Sequence, residues 1–295
     1  MATLPLKLAS YIHNCLLNDG YVIIPDVLTK DEVETATSMF KQWQKSVPNL
    51  EFLHKTVDPH GIYKFHQAGH QRHAWYIRTR SAVQNVFAFL HNSEDLIVSY
   101  DGCCYIDKKD KRKDKCWTHT DQAPDYKGVW CFQGFVSLTA NKERTLQVYK
   151  GSHLNHEEYF KEKGITGKKN WQLIDKEYLD NIENTRIKLD VPAGALVLWD
   201  SRVFHQNTYG KPESEERIVQ YVCFYPRVHE NNTAANQKKR EKYFNEKRMT
   251  PHWPAPLRVN PLQPQTYGDE SRIINYESLP EIDLNDMIED ILKIV

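Results

Sequence analysis

No CxxC pair occurs in this chain, and its six cysteines, Cys15, Cys103, Cys104, Cys116, Cys131 and Cys223, are too sparse over 295 residues for a disulfide scaffold. Reduced thiols are therefore expected. No apolar run approaches the roughly 18 residues that a membrane span needs, and residues 1–7 lack the shape of a signal peptide. A cytoplasmic protein is expected. Net charge is also missing: 39 basic residues balance 39 acidic ones, so no global field points to nucleic acid or to a membrane surface. Nor do strands alternate with helices as βαβ units would, which argues against a doubly wound parallel sheet. Aromatic residues are plentiful, at 12% with 7 Trp and 16 Tyr, which suits a β-rich fold with an aromatic-lined cavity.

Apolar positions at helical spacing predict a first helix over 6–18, with Gly20 where a left-handed cap would stand. A short strand over 21–24 follows, then a capping box, Thr29 with Glu32, opening a second helix. A helix is expected over 82–90. Strands are expected over 96–106, 129–138, 145–149, 185–189, 195–199 and 217–225, while the polar stretch 154–182 reads as an insertion. Many short strands between turns predict a mainly β fold with flanking helices, a double-stranded β-helix: the jelly roll also seen in cupins. We expect one domain over 1–228. Residues 229–295 form a C-terminal extension: a basic helix over 236–248, a proline-rich connector, and an amphipathic acidic helix over 284–295 that docks on its own domain.

The chemistry concentrates in Trp117-Thr118-His119-Thr120-Asp121-Gln122 and in Trp199-Asp200-Ser201-Arg202-Val203-Phe204-His205-Gln206-Asn207. An HxD pair followed by a distant His can supply a 2-His-1-carboxylate triad, which fills one face of a six-coordinate metal and leaves the other open. On a strand His119 and Asp121 project to one side. A chain with 13 His and 39 acidic residues yields such a tripeptide by composition alone, so the context carries the weight. The single HxE, His156 and Glu158, sits in a polar stretch that reads as a solvated helix start. Arg217 shares a strand face with Val219, Tyr221 and Cys223, where it can grip a carboxylate with two parallel hydrogen bonds; the plainer alternative is a strand-edge surface charge. Gln133, on an inward strand, is either a contact to substrate or co-substrate or a buried structural amide.

Three histidines, His66, His70 and His73, are spaced i, i+4, i+7 without an acidic or cysteine partner, which weighs against a second metal centre. Their region reads instead as a lid or cavity wall, with Trp75 and Arg78 as candidate substrate contacts or as packing. Arg202 flanks Ser201 with Asp200; a structural ion pair is the first reading, and contact with an anionic substrate the second. The basic run over 108–115 reads as a solvated loop, with steering of an anionic substrate as the alternative. Gly151-Ser152-His153 reads as a turn.

In their order, the HTD, GSH, WDSR…H and Arg motifs resemble the phytanoyl-CoA dioxygenase family of Fe(II)- and 2-oxoglutarate-dependent oxygenases. The opening segment Asp19-Gly20-Tyr21-Val22-Ile23-Ile24-Pro25 and the middle strand Gly134-Phe135-Val136-Ser137-Leu138-Thr139 are similar to that family too, so the likeness covers about residues 10 to 228. It implies His119, Asp121 and His205 as iron ligands, Arg217 as the 2-oxoglutarate anchor, and Asn207 near the same carboxylate. Where the family commonly has a glycine-rich approach and a proline before GSH, this chain has Arg144-Thr145 and Lys150.

The expected protein is an oxygenase that hydroxylates an unidentified small-molecule or peptide substrate with O2, releasing succinate and CO2, and works as a monomer or homodimer. Asp121 occupies the place where a halide would need an open position, which disfavours halogenation. Two other readings are carried: a catalytically silent jelly-roll module that binds metal or ligand, and a zinc hydrolase on the same three side chains.

Overall fold

A computed structural model describes residues 4–295. Helix α1 (Leu6–Asn18) ends at Gly20, whose φ of 81° is the left-handed value that only glycine adopts cheaply. A Cβ there would meet His153 Nδ1 at 2.5 Å and a Val203 methyl at 2.6 Å, so the turn into β1 (Tyr21–Ile24) requires glycine twice over. The predicted capping box forms at the start of α2 (Lys30–Ser46). Next come α3 (Leu50–Val57), β2 (Ile62–Tyr63), α4 (Arg72–Arg78), α5 (Ser81–His91), β3 (Leu96–Val98) and β4 (Cys103–Ile106). The short β5 (His119–Thr120) precedes β6 (Phe132–Ser137), β7 (Leu146–Tyr149), α6 (Ser152–Glu162), β8 (Gln172–Leu173), α7 (Lys176–Asn181), β9 (Arg186–Lys188), β10 (Leu196–Asp200) and β11 (His205–Asn207). The chain closes with β12 (Arg217–Val222), β13 (Phe224–Pro226), α8 (Ala234–Asn245) and α9 (Ile288–Leu292).

Two compact units divide the chain, each assembled from separate stretches of sequence. One comprises 5–25 and 106–217. In it β1, β10 and β6 form an antiparallel ladder, and β8, β5, β11, β7 and β9 form a five-stranded sheet. The stretch 154–182 does more than the expected polar insertion: α6, β8 and α7 come from it, and Tyr159, Phe160, Ile174 and Leu179 build a core cluster with Tyr149 and Phe204. His156 is fully buried and bonds the Gln122 carbonyl at 3.1 Å, so it does not belong to a solvated helix start. Its apolar neighbours are spaced one helical turn apart inside a charged segment, which hides them from a reading of average polarity.

The other unit holds 26–105 and 218–295, with β2 paired to β4 and β13 to β3. The run expected as one strand over 217–225 breaks at Cys223, whose carbonyl accepts from Ser99, and continues as β13. His66, His70 and His73 do not share a helix, because His66 and Gln67 both have left-handed backbones, and all three imidazoles are buried. The terminal helix is only five residues long. The chain end is tied to the rest of its unit: the Ile294 carbonyl accepts from the Val98 N–H, and Arg240 donates to the carbonyls of Val98, Pro254, Ile294 and Val295. Arg240 lies within the expected basic helix yet is 1% exposed. Replacing it by Met removes its hydrogen bonds to those carbonyls, and we expect a loss of about 2–4 kcal/mol of unfolding free energy, read as a lower urea midpoint.

Among the described residues no helix is long and apolar enough to cross a membrane.

Candidate metal centre and its surroundings

His119 and His205 are direct partners across the antiparallel pair β5 and β11. Opposed residues leave a sheet on the same face, so this register alone puts two imidazoles side by side, with ring centroids 4.4 Å apart. β5 ends at Thr120, one residue before Asp121. The bend that follows is held by the Ser201 carbonyl, which accepts from the backbone N–H groups of Asp121 and Gln122 at 3.2 and 3.1 Å and from Thr120 Oγ1 at 2.9 Å. The loop that leads into β11 thus also sets the carboxylate. Asp121 Oδ2 lies 3.3 Å from His205 Nε2 and 3.7 Å from His119 Nε2. One ligand atom from each of the three residues falls within 4.8 Å of the others, and no further such group occurs among the described residues.

Each imidazole is fixed by its far nitrogen. His119 Nδ1 lies 3.1 Å from the Trp117 carbonyl and His205 Nδ1 lies 2.9 Å from the Val203 carbonyl. A carbonyl can only accept, so Nδ1 carries the proton and the lone pair of Nε2 faces Asp121, as a metal ligand requires. Burial, and then the neighbouring His205, hold the His119 imidazole below the ordinary histidine range against the opposing pull of Asp121. A neutral, ligating form is favoured. Gln133 Nε2 donates to Asp121 Oδ2 at 2.9 Å and so orients the carboxylate, while Gln133 Oε1 is buried with no partner.

Arg217 is wholly buried. Its Nη1 donates to Asn207 Oδ1 at 2.7 Å and its guanidinium lies 5.4 Å from the Phe135 ring centroid. Nε and Nη2 have no partner. A buried guanidinium with two unpaired donors is costly alone, and a carboxylate is the group that would satisfy both. It is not a strand-edge surface charge. Asn207 occupies the same strand face as His205, two residues on.

The chain has the double-stranded β-helix fold. At a TM-score of 0.63 and 14% identity it matches the crystal structure of GlcNAc Inducible Gene 2 protein from Candida albicans, over 99% of this chain and 76% of that one. It matches the non-heme alpha-ketoglutarate-dependent carbocyclase SnoK from nogalamycin biosynthesis at 0.52 and 16% identity, over 75% of this chain and 84% of that one. Among curated proteins, Ava biosynthesis cluster protein O of Aspergillus versicolor is 29% identical over 246 residues, 75% of this chain and 79% of that protein. No family model matches the chain.

The remaining expected contacts are engaged in other interactions. Arg202 makes two bonds to Asp200, at 3.0 and 2.6 Å, the ion pair that was the first reading. Trp75 and Arg78 belong to the other unit and are fully buried. Arg78 donates to the carbonyls of Gly69 and Asp101 at 2.5 and 2.6 Å, and Trp75 packs against His70, Tyr100 and Phe244. Both have the surroundings of core packing. His153 bonds the Leu17 carbonyl at 3.1 Å and pins the end of α1. The basic stretch over 108–115 is irregular, as expected, and is tied down by buried Arg144, which donates to the carbonyls of Asp107, Lys108 and Asp110.

Trp117 and Trp171 are aromatic neighbours of His119 whose contact with it escaped the sequence reading. Trp117 stacks on His119 at 4.8 Å and 21°, and Trp171 lies 5.6 Å from the same ring. Trp117 adjoins the HxD motif and so carried a signal. Trp171 is 52 positions from His119 in the chain, within the polar stretch taken for an insertion, and only the pairing of β8 with β5 brings it near.

Proposed function

We propose that this protein is an Fe(II)- and 2-oxoglutarate-dependent dioxygenase that hydroxylates a small molecule, with O2 as oxidant and succinate and CO2 as products. The observation that carries the reading is the convergence of His119, Asp121 and His205 in one unit with a buried guanidinium at Arg217 that has two unpaired donors. His119, Asp121 and His205 would hold the ferrous ion, and Arg217 with Asn207 would hold the distal carboxylate of 2-oxoglutarate. When bound, the metal supplies the oxygen chemistry. The chain's own residues position: Gln133 orients Asp121, and the Trp117 and Val203 carbonyls orient the imidazoles. The ordered motifs supply the resemblance to the phytanoyl-CoA dioxygenase family. A cytoplasmic location, one domain over 1–228 with a C-terminal extension, and a monomeric or homodimeric state remain part of this proposal.

Incubation of the purified protein with ferrous ion, 2-oxoglutarate and O2 is expected to release succinate slowly without added substrate. A protein that neither binds 2-oxoglutarate nor forms succinate would be the silent module, and one active without O2 would be the zinc hydrolase. In Arg217→Lys the charge is retained, but the planar two-donor grip is lost, so the KM for 2-oxoglutarate should rise about tenfold or more. An unchanged KM would remove Arg217 from the co-substrate site.

A further inference from the structure

Leu173 opposes His119 in the ladder between β8 and β5, so its side chain leaves the sheet on the face that carries the triad. Two residues earlier stands Trp171, whose ring is 5.6 Å from the His119 imidazole and tilted by 34°. Large apolar side chains beside a buried polar centre are normally covered. These two keep 44% and 54% of their surface exposed.

The backbone at Trp171 is also strained, with φ of 64°. A bulky residue in the left-handed region is an outlier that persists only where its surroundings impose it. Here they do. Asn170 Oδ1 accepts from the Ala123 N–H at 3.0 Å, Asp125 and Gly167 exchange hydrogen bonds at 2.8 and 3.2 Å, and β8 begins at the next residue. These anchors lie on the segments that flank Asp121: His119–Thr120 before it, Ala123 and Asp125 after it. Trp117 adds a second indole on His119 and is held by Nε1 donation to the Asn207 carbonyl at 3.1 Å. Packing alone does not account for an indole fixed in a strained conformation, against a ligand imidazole, with almost half its surface in water.

We propose that Trp171 is the platform on which the substrate lies, and that the substrate is a small molecule with a flat, fused-ring system. The inference deepens the oxygenase reading and rests on it, because what the indole holds is held next to His119. Offset stacking on an indole selects flat rings over saturated ones of equal size. Leu173 extends the apolar surface, and Lys168 and Lys169 directly before the platform oppose a cationic ring.

A matched pair of probes tests this: 2-naphthol, and decahydro-2-naphthol, which has the same carbon skeleton without the flat rings. Both are measured by equilibrium dialysis against the full chain in the presence of Zn(II) and 2-oxoglutarate. The wild type should hold 2-naphthol about tenfold more tightly than its saturated counterpart, Trp171→Ala should lose about that factor for 2-naphthol alone, and Trp171→Phe should restore most of it. Equal affinity of the wild type for the two probes, or no binding of either, overturns the platform without recourse to a variant. So does a folded Trp171→Ala protein that binds 2-naphthol as the wild type does. Binding of 2-oxoglutarate is read in the same samples: its absence with 2-naphthol retained defeats the oxygenase reading, and the reverse result defeats the platform.

Discussion

Asp121→Ala is expected to bind ferrous ion at least about a hundredfold more weakly than the wild type and to lose 2-oxoglutarate turnover with it. Asp121 is the only anion among the three converging side chains, and its Oδ2 lies within 3.7 Å of Nε2 of both histidines. Residues that merely orient ligands cost about 10–100-fold in affinity when removed, so loss of a ligand should cost more. The fold should survive, because the bond from the backbone N–H at residue 121 to the Ser201 carbonyl does not involve the side chain. Anaerobic calorimetric titration with Fe(II) reads the affinity directly. Gln133→Leu, which removes only the 2.9 Å bond to Asp121, is expected to weaken binding by about tenfold. A metal affinity unchanged in Asp121→Ala would end the case for the triad.

Stability is expected to fall steeply as the pH drops from 7 to 5. Burial drives four histidines of the unit containing 26–105 and 218–295 below the ordinary value of 6.5: His70 and His73 to about 3, and His66 and His91 to about 4. In the unfolded chain each takes up a proton below about pH 6.5, whereas the folded chain refuses it until far lower pH. A depressed folded-state pKa on a base means that stability is intact above pH 6.5 and is lost as pH falls through the window down to 4 or 3. Each group contributes about 1.4 kcal/mol per pH unit within that window, so the four together approach 5 kcal/mol per unit near pH 5. That is on the scale of the whole stability of a typical domain, about 5–15 kcal/mol. Urea unfolding of the metal-free protein at pH 7, 6 and 5 should show the midpoint collapsing, and a flat profile would contradict it. His73 makes a sharper test. Its two nitrogens have no partners and its ring packs edge-on to Phe40 at 5.1 Å, so His73→Phe should be tolerated at pH 7 and more stable than the wild type at pH 5 by about 2 kcal/mol.

The elements that local chemistry dictates were legible in the chain. The Thr29 and Glu32 capping box, the Gly20 turn and most strands need only near neighbours in sequence, and they stand where propensity and pattern put them. Misreadings arose where a distant partner competed for the backbone. The strand expected over 217–225 breaks at Cys223, whose carbonyl accepts from Ser99, and the helix expected over 284–295 is confined to Ile288–Leu292. His66, His70 and His73 share a helical spacing but no helix, since His66 and Gln67 take left-handed backbones and Gln71 an extended one. Gln133 could be placed on an inward strand from its pattern, but that its amide meets Asp121 depends on how β6 lies in the sheet.

The amino-acid sequence by itself determined the chemical identity of the candidate centre: two imidazoles, a carboxylate and a guanidinium, in a recognisable order. Only the tertiary structure decided that His119 and His205 sit opposite each other in register, that Arg217 is buried with two donors unpaired, and that Trp171 reaches the same place from a polar stretch 52 residues away. The physical reason is that side-chain direction within a strand is a local property with period two, whereas register between strands is set by long-range burial and loop anchoring, which no single window of sequence contains.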